Sequence, residues 1–350
     1  MRLVLLTSEP LDVARGSGTA MSLRRLRAAL ALRGVTAPVL SPPHRTLGGT
    51  LARGRFNRSV RAGRYAGYDA VLGVGGDGWR VAAQLAVPFI VLIKAMYSRA
   101  LRYERGLTAA ALRRHAHWER DGIRRADCVV APSHDAADAA VRDYGADPTR
   151  LRVIPEPFDA AEWTAALPAR ERWGTRVLCV AHMYPRKRVG DLVDAWPEVV
   201  QARPDARLDI VGDGPELRRI ARHADDVSSV FLHGHVEHPQ ILEFFARADA
   251  FCLPSAQETF GYAVVEAMAS GLTVVVADTG ALAEVTAGAI AEYVTGSDAH
   301  ALATALLRSL EPDRRREAAS VNPARARAFS PEAVADSIIA VVDELRLAGR

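Results

Sequence analysis

The feature that most constrains this chain is a steady exchange between short, wholly apolar runs and longer stretches of helical period. "RLVLLTS" (2–8), "YDAVLGVG", "PFIVLIK" and "DCVVAPS" are runs of the first kind. A strand wet on one face alternates apolar and polar residues. A continuous apolar run fits a strand covered on both faces, as in a parallel sheet. The segment from about Met21 to Arg33 and "AALRRHAHWERDGIRRA" have helical period, and "VTAPVL" reads as a second strand. Strand and helix in alternation predict an α/β fold, doubly wound.

The pattern restarts after "IPEPFDAAEWTAALPARERWGT", a proline-bearing segment without strong periodicity. "RVLCVAH", "RLDIVGDG", "SVFLHGHV", "DAFCLPS", "TVVVAD" and "AIAEYV" follow as a second set of strands, and "PEAVADSIIAVVDELRL" is a last helix. The expected organisation is two Rossmann-like domains, 1–160 and 161–330, with a C-terminal helix over 331–350. The length of 350 residues suits two domains. Hydrophobic residues at 49% and charged residues at 25% suffice for two cores and exclude a disordered chain. Two tandem domains of this kind predict a cleft, with ligands outside the carboxyl ends of the strands.

Residues 1–160 hold 25 Arg or Lys against 14 Asp or Glu; residues 161–350 hold 20 against 27. A basic half joined to an acidic half implies different partners for each. Only two of the 45 basic residues are lysines, Lys94 and Lys187. Cys128, Cys179 and Cys252 lie far apart in apolar runs, the pattern of buried thiols rather than of a disulfide framework or metal site. No apolar run approaches the roughly 20 residues of a membrane span, and "MRLVLL" is too short for a signal peptide. The expected location is the cytoplasm, with room for peripheral contact at the inner face of a membrane.

The stretch with most chemical content is "PSAQETFGYAVVEAMASG" (254–271). A strand ends at Leu253–Pro254, and a helix is expected from about Tyr262 to Ser270, with Gly271 as its stop. Glu258 lies in the loop and Glu266 about one turn into the helix. The helix opening at "TFG" offers backbone N–H groups and a positive dipole end to an anion, and Gly261 permits close approach. A carboxylate beside such a site suits sugar hydroxyls rather than phosphate. The spacing is equally that of an ordinary amphipathic helix with one solvated and one capping Glu.

Two Glu separated by seven residues, preceded by Pro-Ser and followed by "AMASG", resemble the signature of glycosyltransferase family 4, the retaining "glycosyl transferases group 1" of GT-B fold. "RVLCVAHMYPRKRVGDLVDAW", "LDIVGDGPELRRI", "VFLHGHVEHPQILEFFARADAFCLPS", "ADCVVAPSHDAADAAVRDYG" with "RVIPEPFD", and "FSPEAVADSIIAVVDEL" are similar to family segments in the same order. The terminal helix of that family commonly crosses back to the first domain.

The resemblance implies roles. Glu266 would bind the ribose of a nucleotide-diphosphate sugar, and Glu258 the transferred sugar. Thr259, Phe260, Gly261 and Tyr262 would present backbone N–H groups to sugar or distal phosphate. Lys187 would neutralise the diphosphate. The family usually has Arg five residues before this Lys; here stands His182, which leaves Arg186 or Arg188 to supply a second charge. Gly212 and Gly214 would bring a loop close to the nucleotide, or form a plain turn, and the backbone near Val236 would hold the base. In the first domain, Gly16 and Gly18 of "RGSGTA" form a loop for donor phosphates or acceptor. Lys94 stands where the family often has His, as an acceptor-side contact or a surface lysine.

No Asp-x-Asp occurs and no His/Asp/Glu cluster has metal-ligand spacing. That pattern argues against a metal-assisted transferase, and the resemblance implies a retaining, metal-independent transfer without a cofactor, from a nucleotide sugar to the hydroxyl of a sugar, lipid-linked or small-molecule acceptor. Arg53, Arg55, Arg58, Arg61 and Arg64 recur in "LARGRFNRSVRAGRYAG". They read as a solvated, mobile loop, or as a contact for anionic lipid headgroups. With little aromatic interleaving they do not suggest nucleic acid. Three rivals stand beside the transferase: an epimerase or hydrolase of the same fold, a sugar-nucleotide-binding protein, and a kinase using "GVGGDG" (73–78) with Asp77 as catalytic residue.

Overall fold

A computed structural model describes the chain apart from residues 10, 12–17, 43–48, 171–173, 228 and 350. It divides into two compact units, Met1–Pro157 with Phe329–Arg350, and Phe158–Ala328.

In the first unit six strands form one parallel sheet: β1 Leu3–Leu6, β2 Val39–Leu40, β3 Ala70–Val74, β4 Phe89–Leu92, β5 Cys128–Ala131 and β6 Leu151–Val153. Their spatial order is β2-β1-β3-β4-β5-β6. The strand expected in "VTAPVL" shrinks to two residues and an isolated bridge from Thr36 to Arg2. The helices are α1 Gly18–Leu32, α2 Gly49–Ser59, α3 Tyr97–Ala100, α4 Gly106–Arg125 and α5 His134–Tyr144. β1, β3, β4 and β5 are buried along their length, which explains their unbroken apolar sequence.

The second unit repeats the plan with β7 Arg176–Val180, β8 Arg207–Val211, β9 Val230–Gly234, β10 Ala250–Leu253, β11 Thr273–Ala277 and β12 Ala291–Val294. Their order is β12-β11-β10-β7-β8-β9, all parallel. Its helices are α6 Ala160–Ala166, α7 Val189–Ala202, α8 Leu217–Ala224, α9 His238–Arg247, α10 Tyr262–Ala269, α11 Gly280–Val285, α12 Ala299–Ser309 and α13 Pro312–Arg327. The order reverses between β7 and β10, so the loops that leave these neighbours diverge and open a crevice at their carboxyl ends.

α6 lies in the segment read as linker. Asp159 caps it by accepting from the Glu162 N–H at 2.8 Å. Trp163 anchors it against Phe158 and Phe245. One large apolar anchor in a short helix leaves no period to detect, and the unit boundary falls at Pro157/Phe158.

The last helix, α14 Pro331–Leu347, belongs to the first unit. Val334, Ile338, Val341 and Val342 share a buried cluster with Leu3, Leu5, Leu23 and Leu30. Arg33 binds Asp336 and Arg152 binds Glu344 at its rim. All three cysteines are buried and unpaired.

Candidate functional site

In the second unit the loops after β7 and β10 meet at the switch point. The first runs through His182 to a 3₁₀ turn, Pro185–Lys187, and then to Arg188. Arg188 has φ +51°, the only positive φ of a non-glycine residue among those described. Such a conformation costs energy and persists only where its surroundings hold it; here the guanidinium donates to the Gly296 carbonyl at 2.8 Å. The second loop is tied to the first through backbone. The Ala256 N–H donates to the Arg186 carbonyl at 2.8 Å, and the buried Ser255 hydroxyl reaches the same carbonyl at 3.3 Å. These bonds set Lys187 and Glu258 face to face, and the two side chains form an ion pair with only 14% and 11% of their surfaces exposed.

Gly261 follows at φ +98° and caps the start of α10. A side chain there would strike Leu282 Cδ2 at 2.7 Å, so only glycine fits both the dihedral and the space. Phe260 is buried edge-on to the Tyr262 ring, while Thr259 is half-buried. Along α10, Tyr262, Ala263 and Glu266 make the partly exposed stripe, whereas Val264, Val265, Ala267 and Met268 are buried. Glu266 thus lies one turn in, on the side of the helix that begins at the loop. The helix stops as its sequence indicates: Gly271 has φ +71°, its N–H donates to Met268, and the Leu272 N–H donates to Ala267.

The loops after β7, β8 and β9 are stitched side by side. The Ala181 N–H donates to Val211, Met183 to Asp213, and Gly212 to Gly234. Gly212 and Gly214 have their reason here: a Cβ on Gly212 would lie 2.0 Å from the Ala181 carbonyl oxygen, and one on Gly214 would lie 2.7 Å from the Met183 nitrogen. Their close approach is to the His182 loop itself. His182 is half-buried with its ring 6.3 Å from that of Tyr184, and Arg186 stacks on the same Tyr184 at 4.7 Å. Val236 sits just past β9, half-buried.

In the first unit, Gly16 lies outside the described residues, and Gly18 is the first residue of α1. Lys94 is no surface lysine. Its ammonium sits between the two Glu156 oxygens at 2.6 and 2.7 Å, and Glu156 also accepts from the Ser22 hydroxyl at 2.7 Å. Thr7, Ser8, Glu9, Asp77, Lys94 and Tyr97 are among the residues lining a small pocket at the carboxyl ends of β1, β3 and β4. Glu156 carried no sequence signal, because its partner lies 62 residues away.

One expectation is corrected, and one rival loses its catalytic residue. The arginine-rich stretch is not a mobile loop: residues 49–59 are α2, and Arg53 is buried with its Nε 3.0 Å from Asp77. Burial opposes the Arg53 charge, yet Asp77, Tyr97, Glu119 and Glu9 together hold its pKa above the ordinary value. Nor is "GVGGDG" a phosphate loop with a catalytic aspartate. Asp77 is buried and accepts from the Ser8 N–H, Arg53 and the Asn57 amide. The glycines serve a tight turn; a Cβ on Gly122 would meet the Gly76 Cα at 2.5 Å.

Behind this network lies Glu119, wholly buried. Its Oε2 accepts from the Tyr97 N–H and the Tyr144 hydroxyl, and Oε1 has no partner. Burial pushes this carboxyl up to about 7, against the Tyr144 hydrogen bond and the Arg53 charge. Burial, aided by Arg53, lowers nearby His115 to about 4. Among the described residues, no three His, Cys, Asp or Glu are placed to hold a metal ion, and no helix is long and apolar enough to cross a membrane.

Two doubly wound units with the switch-point loops described above define a GT-B glycosyltransferase fold. Sucrose-phosphate synthase from Thermosynechococcus elongatus superimposes with a TM-score of 0.80 over 99% of both chains at 21% identity. The profile of Glycosyltransferase Family 4 matches residues 16–162, and that of Glycosyl transferases group 1 matches residues 174–312. The lipopolysaccharide core biosynthesis mannosyltransferase LpsB of Rhizobium meliloti is 30% identical over 259 residues, 68% of this chain and 71% of that protein. This chain belongs to glycosyltransferase family 4. A GDP-mannose-dependent monoacylated alpha-(1-6)-phosphatidylinositol monomannoside mannosyltransferase of Corynebacterium glutamicum is 32% identical over 193 residues, half of each chain. The chain thus spans about half the length of several curated relatives it matches.

Proposed function

We propose that this protein is a retaining, metal-independent glycosyltransferase that moves a sugar from a nucleotide-diphosphate sugar to an acceptor hydroxyl. The observation that carries the reading is the meeting of Lys187, Glu258 and the Gly261-led start of α10 at the β7/β10 switch point. An ammonium and a helix N-terminus are suited to a diphosphate whose charge grows as the sugar departs. Glu258 faces the hydroxyls of the transferred sugar, and Glu266 takes the ribose. Arg186, Arg188 and the His182 loop surround the same anion. Thr259, Phe260 and Tyr262 contribute backbone N–H groups, and Gly212, Gly214 and Val236 flank the nucleoside. With a lysine to carry the leaving charge, the reaction needs no metal ion. The leaving phosphate takes the acceptor proton on the face from which it departs, so the configuration is retained.

The acceptor is a sugar, lipid-linked or small-molecule hydroxyl compound. Peripheral contact with anionic membrane is part of the reading. Arg55, Arg58, Arg61 and Arg64 are exposed along α2 and the turn after it, beside Leu51, which is 65% exposed. Such a basic face with an apolar residue suits anionic headgroups.

The test is turnover. The protein is incubated with UDP-, GDP-, ADP- and TDP-sugars and an acceptor panel, and nucleoside diphosphate release and product anomer are read by chromatography and NMR. The expected result is release coupled to a product of retained configuration, unchanged by EDTA. Inverted product or loss of turnover in EDTA that magnesium restores contradicts the mechanism. Release without glycosylated product marks a hydrolase instead.

A further inference from the structure

The chain has two lysines among 45 basic residues, and each ends on a glutamate: Lys94 on Glu156, and Lys187 on Glu258. The second pair joins two groups with assigned and different tasks, one toward phosphate and one toward sugar. Their loops are held together by backbone bonds from Ala256 to Arg186, and Lys187 is fixed between a 3₁₀ turn and the left-handed Arg188. The two loops therefore carry the side chains within reach of each other. A phosphate that reaches Lys187 comes beside the Glu258 carboxylate as well.

That neighbourhood treats substrate and product differently. In a nucleotide-diphosphate sugar the terminal phosphate is esterified and carries one negative charge, and the sugar's hydroxyls can donate to a carboxylate. In the free nucleoside diphosphate the terminal phosphate has a second ionisable oxygen, with a pKa near ~6 in phosphate monoesters. At neutral pH it approaches a dianion and has no sugar hydroxyl beside it. Like charges held close in a partly buried site repel strongly.

We propose that Glu258 is a specificity-determining residue that favours the sugar-bearing diphosphate over the free nucleoside diphosphate, and so speeds release of the product. The inference rests on the donor-site reading above and deepens it. Removing the negative charge frees Lys187 for the product while it weakens the acceptor offered to the sugar.

The experiment is calorimetric titration of the full chain and of Glu258→Gln, in EDTA at pH 7.5. The probes are UDP, GDP and ADP and their monophosphates. The diphosphate that the natural protein prefers is expected to bind Glu258→Gln about 5- to 20-fold more tightly. The matching monophosphate, which lacks the terminal phosphate, should bind both proteins within about twofold. In turnover the product inhibition constant should fall by the same factor as the calorimetric Kd of the diphosphate, with a drop in kcat. Glu258→Ala removes the charge by another route and should move the diphosphate the same way, so a folding defect in one variant leaves the other as the test. Equal or weaker diphosphate binding by a folded variant overturns the inference, as does an equal gain for the monophosphate. If the natural protein binds none of the six nucleotides, it is the donor-site reading that fails.

Discussion

Glu119 shows how far one residue can depart from its solution chemistry. A carboxyl raised to about 7 binds more protons in the folded chain than in the unfolded one between about pH 4.5 and 7. The stability it contributes is complete below the unfolded value and is lost as pH rises through the folded one. His115, lowered to about 4, acts oppositely, its share being lost as pH falls from about 6.5 to 4. Comparing variants isolates the first term. Glu119→Gln keeps His115 and should remove a downward slope amounting to at most about 2–3 kcal/mol between pH 5 and 8. Urea unfolding at a series of pH values reads it; parallel curves for the two proteins would contradict the assignment. The glycines at 212 and 214 make a related point. Their sequence reads as ligand approach or turn, and what each in fact approaches is the backbone of the His182 loop. A sequence reports that a Cβ is unwelcome but not which atom excludes it.

Among the elements, the buried strands were the most legible, because strands covered on both faces must be apolar throughout. α10 was legible too, since Gly261 and Gly271 bracket it with positive φ. α2 was not. Arginine at short spacing signals solvent, and only the tertiary structure reveals that Arg53 turns inward to Asp77 while Arg55 and Arg58 of the same helix face out. The same blindness covers Lys187 with Glu258, and Lys94 with Glu156, whose partners are set by parallel pairing across 71 and 62 residues. The division within α2 yields a prediction for membrane contact. Changing Arg55, Arg58, Arg61 and Arg64 to Gln together should reduce binding to phosphatidylglycerol vesicles by about 4 kcal/mol at low salt, near 1 kcal/mol per arginine. Binding to phosphatidylcholine vesicles and the melting temperature should change little. Co-sedimentation checks it, and undiminished binding to the anionic vesicles would remove the proposed contact.

At the scale of the molecule, the chain leaves its first unit at Pro157 and re-enters it at Phe329. The return is energetic as well as topological. Val334, Ile338, Val341 and Val342 are buried against β1 and α1 residues, and four such side chains represent about 6–12 kcal/mol of burial. That rivals the roughly 5–15 kcal/mol that stabilises a whole domain. A chain ending after Ala328 should therefore lose the cooperative melting of its first unit and keep that of its second, as followed by calorimetry. Two intact transitions would show that α14 is dispensable.

Lys187 is the cation that would receive the diphosphate in the proposed reaction. The most direct measurement of that role is calorimetric binding of the preferred nucleoside diphosphate to the natural protein and to Lys187→Met, with circular dichroism to establish that both are folded. The expected result for Lys187→Met is at least about a tenfold loss of affinity, the cost of about 1.4 kcal/mol when one charged partner of a phosphate is removed, together with a fall in kcat. Unchanged affinity and turnover in folded Lys187→Met would contradict it.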